Sequence, residues 1–144
     1  MAQQISEPEL LAKARNYCAH QERCQQEVRD KVYSWGGHKE SVEQIIAQLI
    51  GEGFLNEVRF AEHYAVSKSR QKGWGRRKIV QALKAKGVSE RCIASGLAAI
   101  DEGEEEEQLR LAVAQRWERA KAEEPFIRKG KVIRYFLRKG SSRE

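Results

Sequence analysis

Three glycines set the frame for this chain. Gly36, Gly87 and Gly140 recur at intervals of 51 and 53 residues, and each follows the same apolar spacing. Eight positions earlier stand Val28, Ile79 and Val132, and four positions earlier stand Val32, Leu83 and Phe136. An aliphatic residue, a bulky apolar residue one helical turn on and a glycine one turn further describe one element. It is a helix whose buried stripe is closed by a left-handed cap, a conformation that only glycine adopts without a Cβ penalty. The period lies at the upper edge of those found in tandem repeats.

Each of these helices follows a longer one. Ser6 and Glu9 read as a capping box with Pro8 in the first turn, opening a helix through Leu10, Leu11, Ala14 and Tyr17. After Gly36-Gly37 comes the stripe Val42, Ile45, Ile46, Leu49 and Ile50, closed by Gly51 and Gly53. Asn56 caps the next helix, with Phe60, Ala61 and Tyr64 inward, and Gly73-Trp74-Gly75 breaks it before the stripe Ile79, Ala82 and Leu83. Ser89 caps a short helix holding Cys92, Ile93, Leu97 and Ile100. The acidic run Asp101, Glu102 and Glu104 to Glu107 leads into Leu109, Val113 and Trp117. There it complements the helix macrodipole and needs no other role. Pro125 opens the last helix, with Val132, Ile133, Phe136 and Leu137.

No segment alternates with period two, and the apolar residues are spread evenly rather than pooled. The chain is therefore predicted to be all-α, an elongated, curved array of tandem three-helix units over residues 1–53, 54–102 and 103–144. The third is truncated at the C-terminus to two helices, since only Ser141 to Glu144 follow Gly140.

No window approaches the ~18 consecutive apolar residues of a membrane span. The start MAQQISEPELL lacks the basic and apolar regions of a signal peptide, and Cys18, Cys24 and Cys92 are too few for a disulfide framework, so a cytoplasmic location is expected. His20, His38 and His63 are scattered, and no Ser, His and Asp set stands out. Cys18, His20 and Cys24 fall close together but lack a fourth ligand, so they read as packing residues rather than a zinc site. Neither an enzyme, a metal nor a cofactor is expected.

With 27 Lys and Arg against 21 Asp and Glu, the chain carries a net charge of +6 and a pI near 9.3, which points to an anionic partner. The charge is concentrated. Lys68, Arg70, Lys72, Arg76, Arg77, Lys78, Lys84 and Lys86 crowd one helix end and the next helix, interleaved with Trp74. Arg128, Lys129, Lys131, Arg134, Arg138 and Lys139 form a second cluster without an acid in it. Both fall on the second helix of a repeat, so a regular array could align them into one stripe that neutralises phosphates. The turn Gly87-Val88-Ser89 resembles that of a helix-turn-helix, but the following helix offers only Arg91 as a basic residue, which argues against base reading.

The segment Gly53-Phe54-Leu55-Asn56-Glu57-Val58-Arg59-Phe60-Ala61, with Ser69-Arg70, Gly73-Trp74-Gly75, Ile79, Leu83 and Lys86-Gly87-Val88, resembles the signature of RecX, the bacterial regulator of the RecA recombinase. Arg23 to Val28 with Lys31, Val32 and Gly36 resembles an earlier motif of that family, and Lys131 to Leu137 with Lys139-Gly140 its last one. The chain departs from the pattern at Cys24, where the family usually has Ser, and at Asn56-Glu57, where it has a pair of acids. No unit shows an extra apolar stripe left over for self-association, so a monomer is expected. The resemblance implies a non-enzymatic modulator that binds in the groove of the RecA filament on single-stranded DNA. There it limits ATP hydrolysis, strand exchange and filament growth. The candidate contact residues, drawn from the two basic clusters, are Lys68, Arg70, Lys72, Trp74, Arg76, Arg77 and Lys78, then Lys131, Arg134, Arg138 and Lys139. A general nucleic-acid-binding protein acting on DNA directly is the alternative.

Overall fold

A computed structural model describes residues 5–140. Ser141 to Glu144, the residues left for any further helix, lie outside that range, as do residues 1–4. Over the described residues the chain forms eight helices and no strand. They are α1 (Glu7–His20), α2 (Gln25–Ser34), α3 (Lys39–Gly51), α4 (Glu57–Lys72), α5 (Arg76–Ala85), α6 (Glu90–Ala98), α7 (Glu102–Arg119) and α8 (Pro125–Arg138).

Local chemistry accounts for the helix ends. A side-chain oxygen accepts a backbone N–H at four starts: Ser6 from Glu9, Asn56 from Arg59, Ser89 from Cys92 and Asp101 from Glu104. The carboxylate half of a capping box forms at α2, where the Cys24 N–H donates to Glu27 at 3.0 Å. The repeated glycines share the backbone that the repeat requires, with φ of +94° at Gly36, +78° at Gly87 and +82° at Gly140.

The helices pack in sequence order as tandem groups. In the first, Leu10, Ala14 and Cys18 of α1 meet Val28 and Val32 of α2, Val42, Ile45, Ile46 and Leu49 of α3, and Leu55. In the second, Phe60, Ala61 and Ala65 of α4 surround Ile79 and Leu83 of α5, then Val88, Ile93 and Ile100. Full burial of a side chain such as Leu83 contributes about 1.5–3 kcal/mol before chain entropy is charged against it. The last pair is thinner. No residue of α7 is buried and only Val132 of α8 is, because within the described residues these helices have chiefly each other to pack on.

The stripes read from the sequence were too wide at their edges. Ile50, Val113, Trp117 and Ile133 stand at least a third exposed. Cys24 belongs to the second core rather than the first, and its thiol donates to the Lys86 carbonyl at 3.9 Å. Around it, Arg59 pairs with Glu22 at 2.6 Å, and the Gln25 N–H donates to Glu57 at 3.3 Å. These contacts tie the first group to the second.

The crossing of α4 and α6 is set by Gly96. A Cβ there would lie 2.7 Å from the Ala61 carbonyl oxygen. Gly51, also helical, faces open space. Gly96→Ala is therefore expected to cost about 1–3 kcal/mol through overpacking, whereas Gly51→Ala should gain up to about 1 kcal/mol from helix propensity. Urea denaturation followed by circular dichroism reads both, and a neutral Gly96→Ala would contradict the close crossing.

Candidate functional site

The basic turn between α4 and α5 is built on glycine. α4 stops because Gly73 takes φ +64°, and the Trp74 N–H then donates to the Lys68 carbonyl at 3.1 Å. That bond swings the Trp74 ring against the second core, edge-on to Tyr64 at 6.4 Å. Lys68 Nζ lies 4.9 Å and Lys78 Nζ 4.5 Å from the ring centroid. Each such contact contributes about 0.5–1 kcal/mol at an exposed site. Trp74 thus serves as a half-buried platform that orders two lysines.

The end of α8 closes onto this turn. The Gly75 N–H donates to the Lys139 carbonyl at 2.8 Å, and Lys139 Nζ donates to the Lys72 carbonyl at 3.3 Å. Gly140 lies directly on α5: a Cβ added there would stand 2.7 Å from the Lys78 backbone nitrogen. The two basic clusters, distant in sequence, meet here. They share a groove of about 680 Å³ lined by Trp74, Arg76, Arg77 and Lys139 together with Leu109, Phe136 and the carboxylates Glu105 and Glu106.

Those carboxylates belong to the acidic run, which does more than complement a helix dipole. Arg70 donates twice to Glu104, at 3.0 and 2.9 Å. Arg76 donates to Glu105 at 3.1 Å and to the Leu97 carbonyl at 3.3 Å. The first pair is half exposed, at 56% and 51%, and contributes about 0–1 kcal/mol; the second, at 37% and 28%, is better shielded from water. Together they fasten α7 to α4 and α5.

The sequence-predicted contacts therefore divide. Arg70 and Arg76 hold carboxylates of the chain itself, Lys131 pairs with Glu123, and Lys68 and Lys78 sit on Trp74. Lys139 is drawn to the Lys72 carbonyl and to the Tyr135 ring, 4.9 Å away. Lys72, Arg77, Arg134 and Arg138 are exposed.

Lys131, Arg134 and Arg138 also line a second hollow of about 640 Å³ between α7 and α8, and two further arginines, Arg116 and Arg119, line it with them. Sequence reasoning passed over these two because Gln115, Glu118 and Glu123 surround them in a run of mixed charge. Their three-residue spacing on the last turns of α7 was the available signal. Arg116 is stacked on Tyr135 with its guanidinium carbon 3.5 Å from the ring centroid. Lys139 first, and then Arg116, hold the Tyr135 hydroxyl below its ordinary pKa.

The cysteines lie apart, Cys18 in the first core and Cys24 in the second. Burial pushes the Cys24 thiol up to about 11, so it is protonated at neutral pH. Among the described residues no three His, Cys, Asp or Glu side chains gather as metal ligands.

The family pattern described as "RecX, second three-helix domain" matches residues 56–97, which span α4 to α6 and contain the basic turn. Regulatory protein RecX of Mycobacterium sp. (strain KMS) is 29% identical over 123 residues, 83% of this chain and 67% of that protein. Regulatory protein RecX of Cronobacter sakazakii (strain ATCC BAA-894) is 37% identical over 101 residues, 70% of this chain and 59% of that protein. The chain belongs to the RecX family. Its fold agrees: the crystal structure of RecX from Lactobacillus salivarius superposes with a TM-score of 0.84 at 23% identity, covering 95% of this chain and 89% of that one. Within this RecX scaffold, the groove is formed where the match to the second domain meets the end of α8.

Gly87 and Gly140 share a left-handed backbone but not surroundings, since a Cβ at Gly87 meets nothing within 4 Å. Gly87→Ala should cost about 1–2 kcal/mol from backbone strain alone. Gly140→Ala should cost about 1–3 kcal/mol more from overpacking on Lys78. Equal losses in thermal denaturation would show that α8 does not press on α5.

Proposed function

We propose that this chain is a non-enzymatic modulator, mainly an inhibitor, of the RecA recombinase. It acts as a monomer in the cytoplasm, through tandem units spanning residues 1–53, 54–102 and 103–144. It docks in the groove of the RecA filament on single-stranded DNA and limits ATP hydrolysis, strand exchange and filament growth. Family membership supports the reading, and one structural observation carries it. The basic turn of α4 and α5 and the basic end of α8 meet through the bond from Gly75 to Lys139, which brings residues of two basic sequence clusters to one groove. A surface of this kind faces polyanions or acidic protein, and an effector that prefers one filament state shifts assembly without chemistry.

The test is single-stranded-DNA-dependent ATPase of the cognate recombinase, titrated with this protein after filaments have formed. Inhibition is expected well below one molecule per recombinase. Inhibition only at strand-saturating amounts would favour the second reading, a protein that competes for DNA itself, to which the arginine-lined hollow between α7 and α8 lends weight.

Lys72 and Arg77 are exposed on the basic turn and leave the ties to Glu104 and Glu105 intact. Lys72→Glu with Arg77→Glu is expected to raise the concentration for half-inhibition about tenfold or more, as loss of steering and of two favourable charges dictates, with helicity unchanged. Unaltered inhibition by the folded variant would remove the turn from the interface.

A further inference from the structure

More than half of the arginines among the described residues are engaged by the chain itself. Among the described residues, Arg15, Arg29, Arg59, Arg70, Arg76 and Arg110 each hold a carboxylate, and Arg23 and Arg128 donate to backbone carbonyls. Six have no such partner, and four of the six, Arg116, Arg119, Arg134 and Arg138, line one hollow between α7 and α8. The hollow's one carboxylate, Glu123, already pairs with Lys131.

Four uncompensated guanidiniums around a concave space repel one another, and concavity focuses their potential outward. The arrangement gains most from an anion supplied from outside. Guanidinium forks match phosphate oxygens two at a time, which a carboxylate-rich helix surface with scattered charges would exploit less fully. At about 640 Å³ the space exceeds a single phosphate. One face of its aromatic ring, Tyr135, is already covered by Arg116.

We propose that the hollow between α7 and α8 is a phosphate-binding site in which Arg116, Arg119, Arg134 and Arg138 grip successive phosphate groups. Arg70 and Arg76 act differently: through Glu104 and Glu105 they fix the position of α7, and with it one wall of the site. The assignment rests on the anion-facing reading above and divides its residues into those that hold the ligand and those that hold the scaffold. A single-stranded backbone and a compact polyphosphate present the same chemistry to the site.

Anisotropy of labelled oligo-dT, without recombinase, tests it. Arg119→Gln/Arg134→Gln/Arg138→Gln removes three exposed charges from the site and leaves the Arg116 stack and both cores untouched. Lys13→Gln/Lys39→Gln/Arg91→Gln removes the same charge from exposed positions on α1, α3 and α6. The site variant is expected to lose about tenfold or more in affinity, and the slope of log affinity against log salt should fall by about 2, at roughly 0.7 per phosphate contact on a single strand. The charge-matched variant should keep the slope within about 0.5 of wild type, on the same scale. Equal losses in the two variants, or none in the site variant, would overturn the assignment. Displacement of oligo-dT by inorganic tripolyphosphate at matched ionic strength identifies the compact anion as ligand. Resistance to it, with affinity rising with oligonucleotide length, identifies the strand, and both results support the site. Because no recombinase is present, failure of the filament reading leaves this outcome unchanged, and oligo-dT binding by the site variant at wild-type strength leaves the filament reading standing.

Discussion

The bond from the Gly75 N–H to the Lys139 carbonyl, with Gly140 laid against Lys78, governs where the positive charge of this chain is displayed. It needs two backbones to approach with no side chain between them, and a glycine on each side allows that. The C-terminal carbonyls of α4 and α8 then find partners from the opposing segment instead of water. Without this junction, the lysines on Trp74 and the arginines of α8 would be two separate surfaces.

The junctions between groups differ in kind. The first and second groups meet through a buried sulfur, the Glu57 carboxylate of α4 accepting from the head of α2, and an ion pair. The second and third meet through glycine backbone and partly exposed ion pairs that salt would weaken. Thin packing of α7 against α8 accompanies the second arrangement, with Leu111 and Phe126 left in solvent. Looseness is thus found in the last third of the chain, and shape-specific packing in the first two thirds.

Much of the architecture was legible because it follows from spacing along a single helix. Val28 and Val32, or Ile79 and Leu83, one turn apart before a glycine, mark a buried face and its end without reference to any other element. The caps at Ser6, Asn56 and Ser89 are equally local. What escaped depends on meetings between distant segments. Gly140 could be read as a cap but not as a contact, since Lys78 precedes it by a full unit. Glu104 and Glu105 read as dipole partners, and only the folded chain sets them against Arg70 and Arg76. Cys24 adjoins the first group in sequence and packs in the second. Arg116 and Arg119 escaped because Glu118 and Glu123 neutralise their neighbourhood on paper, while in the fold Glu123 is engaged by Lys131 and the arginines gather with Arg134 and Arg138.

The place of Cys24 also bears on how the chain folds. A thiol made before the second group has begun is enclosed by Ile79, Leu83 and their neighbours, so that group completes its interior only around a residue on loan from the group preceding it. In a chain synthesised from its N-terminus, the first group is then already present as a template edge when α4 to α6 emerge. A deletion that removed Cys24 with the N-terminal group would therefore be felt one group further on than its endpoint.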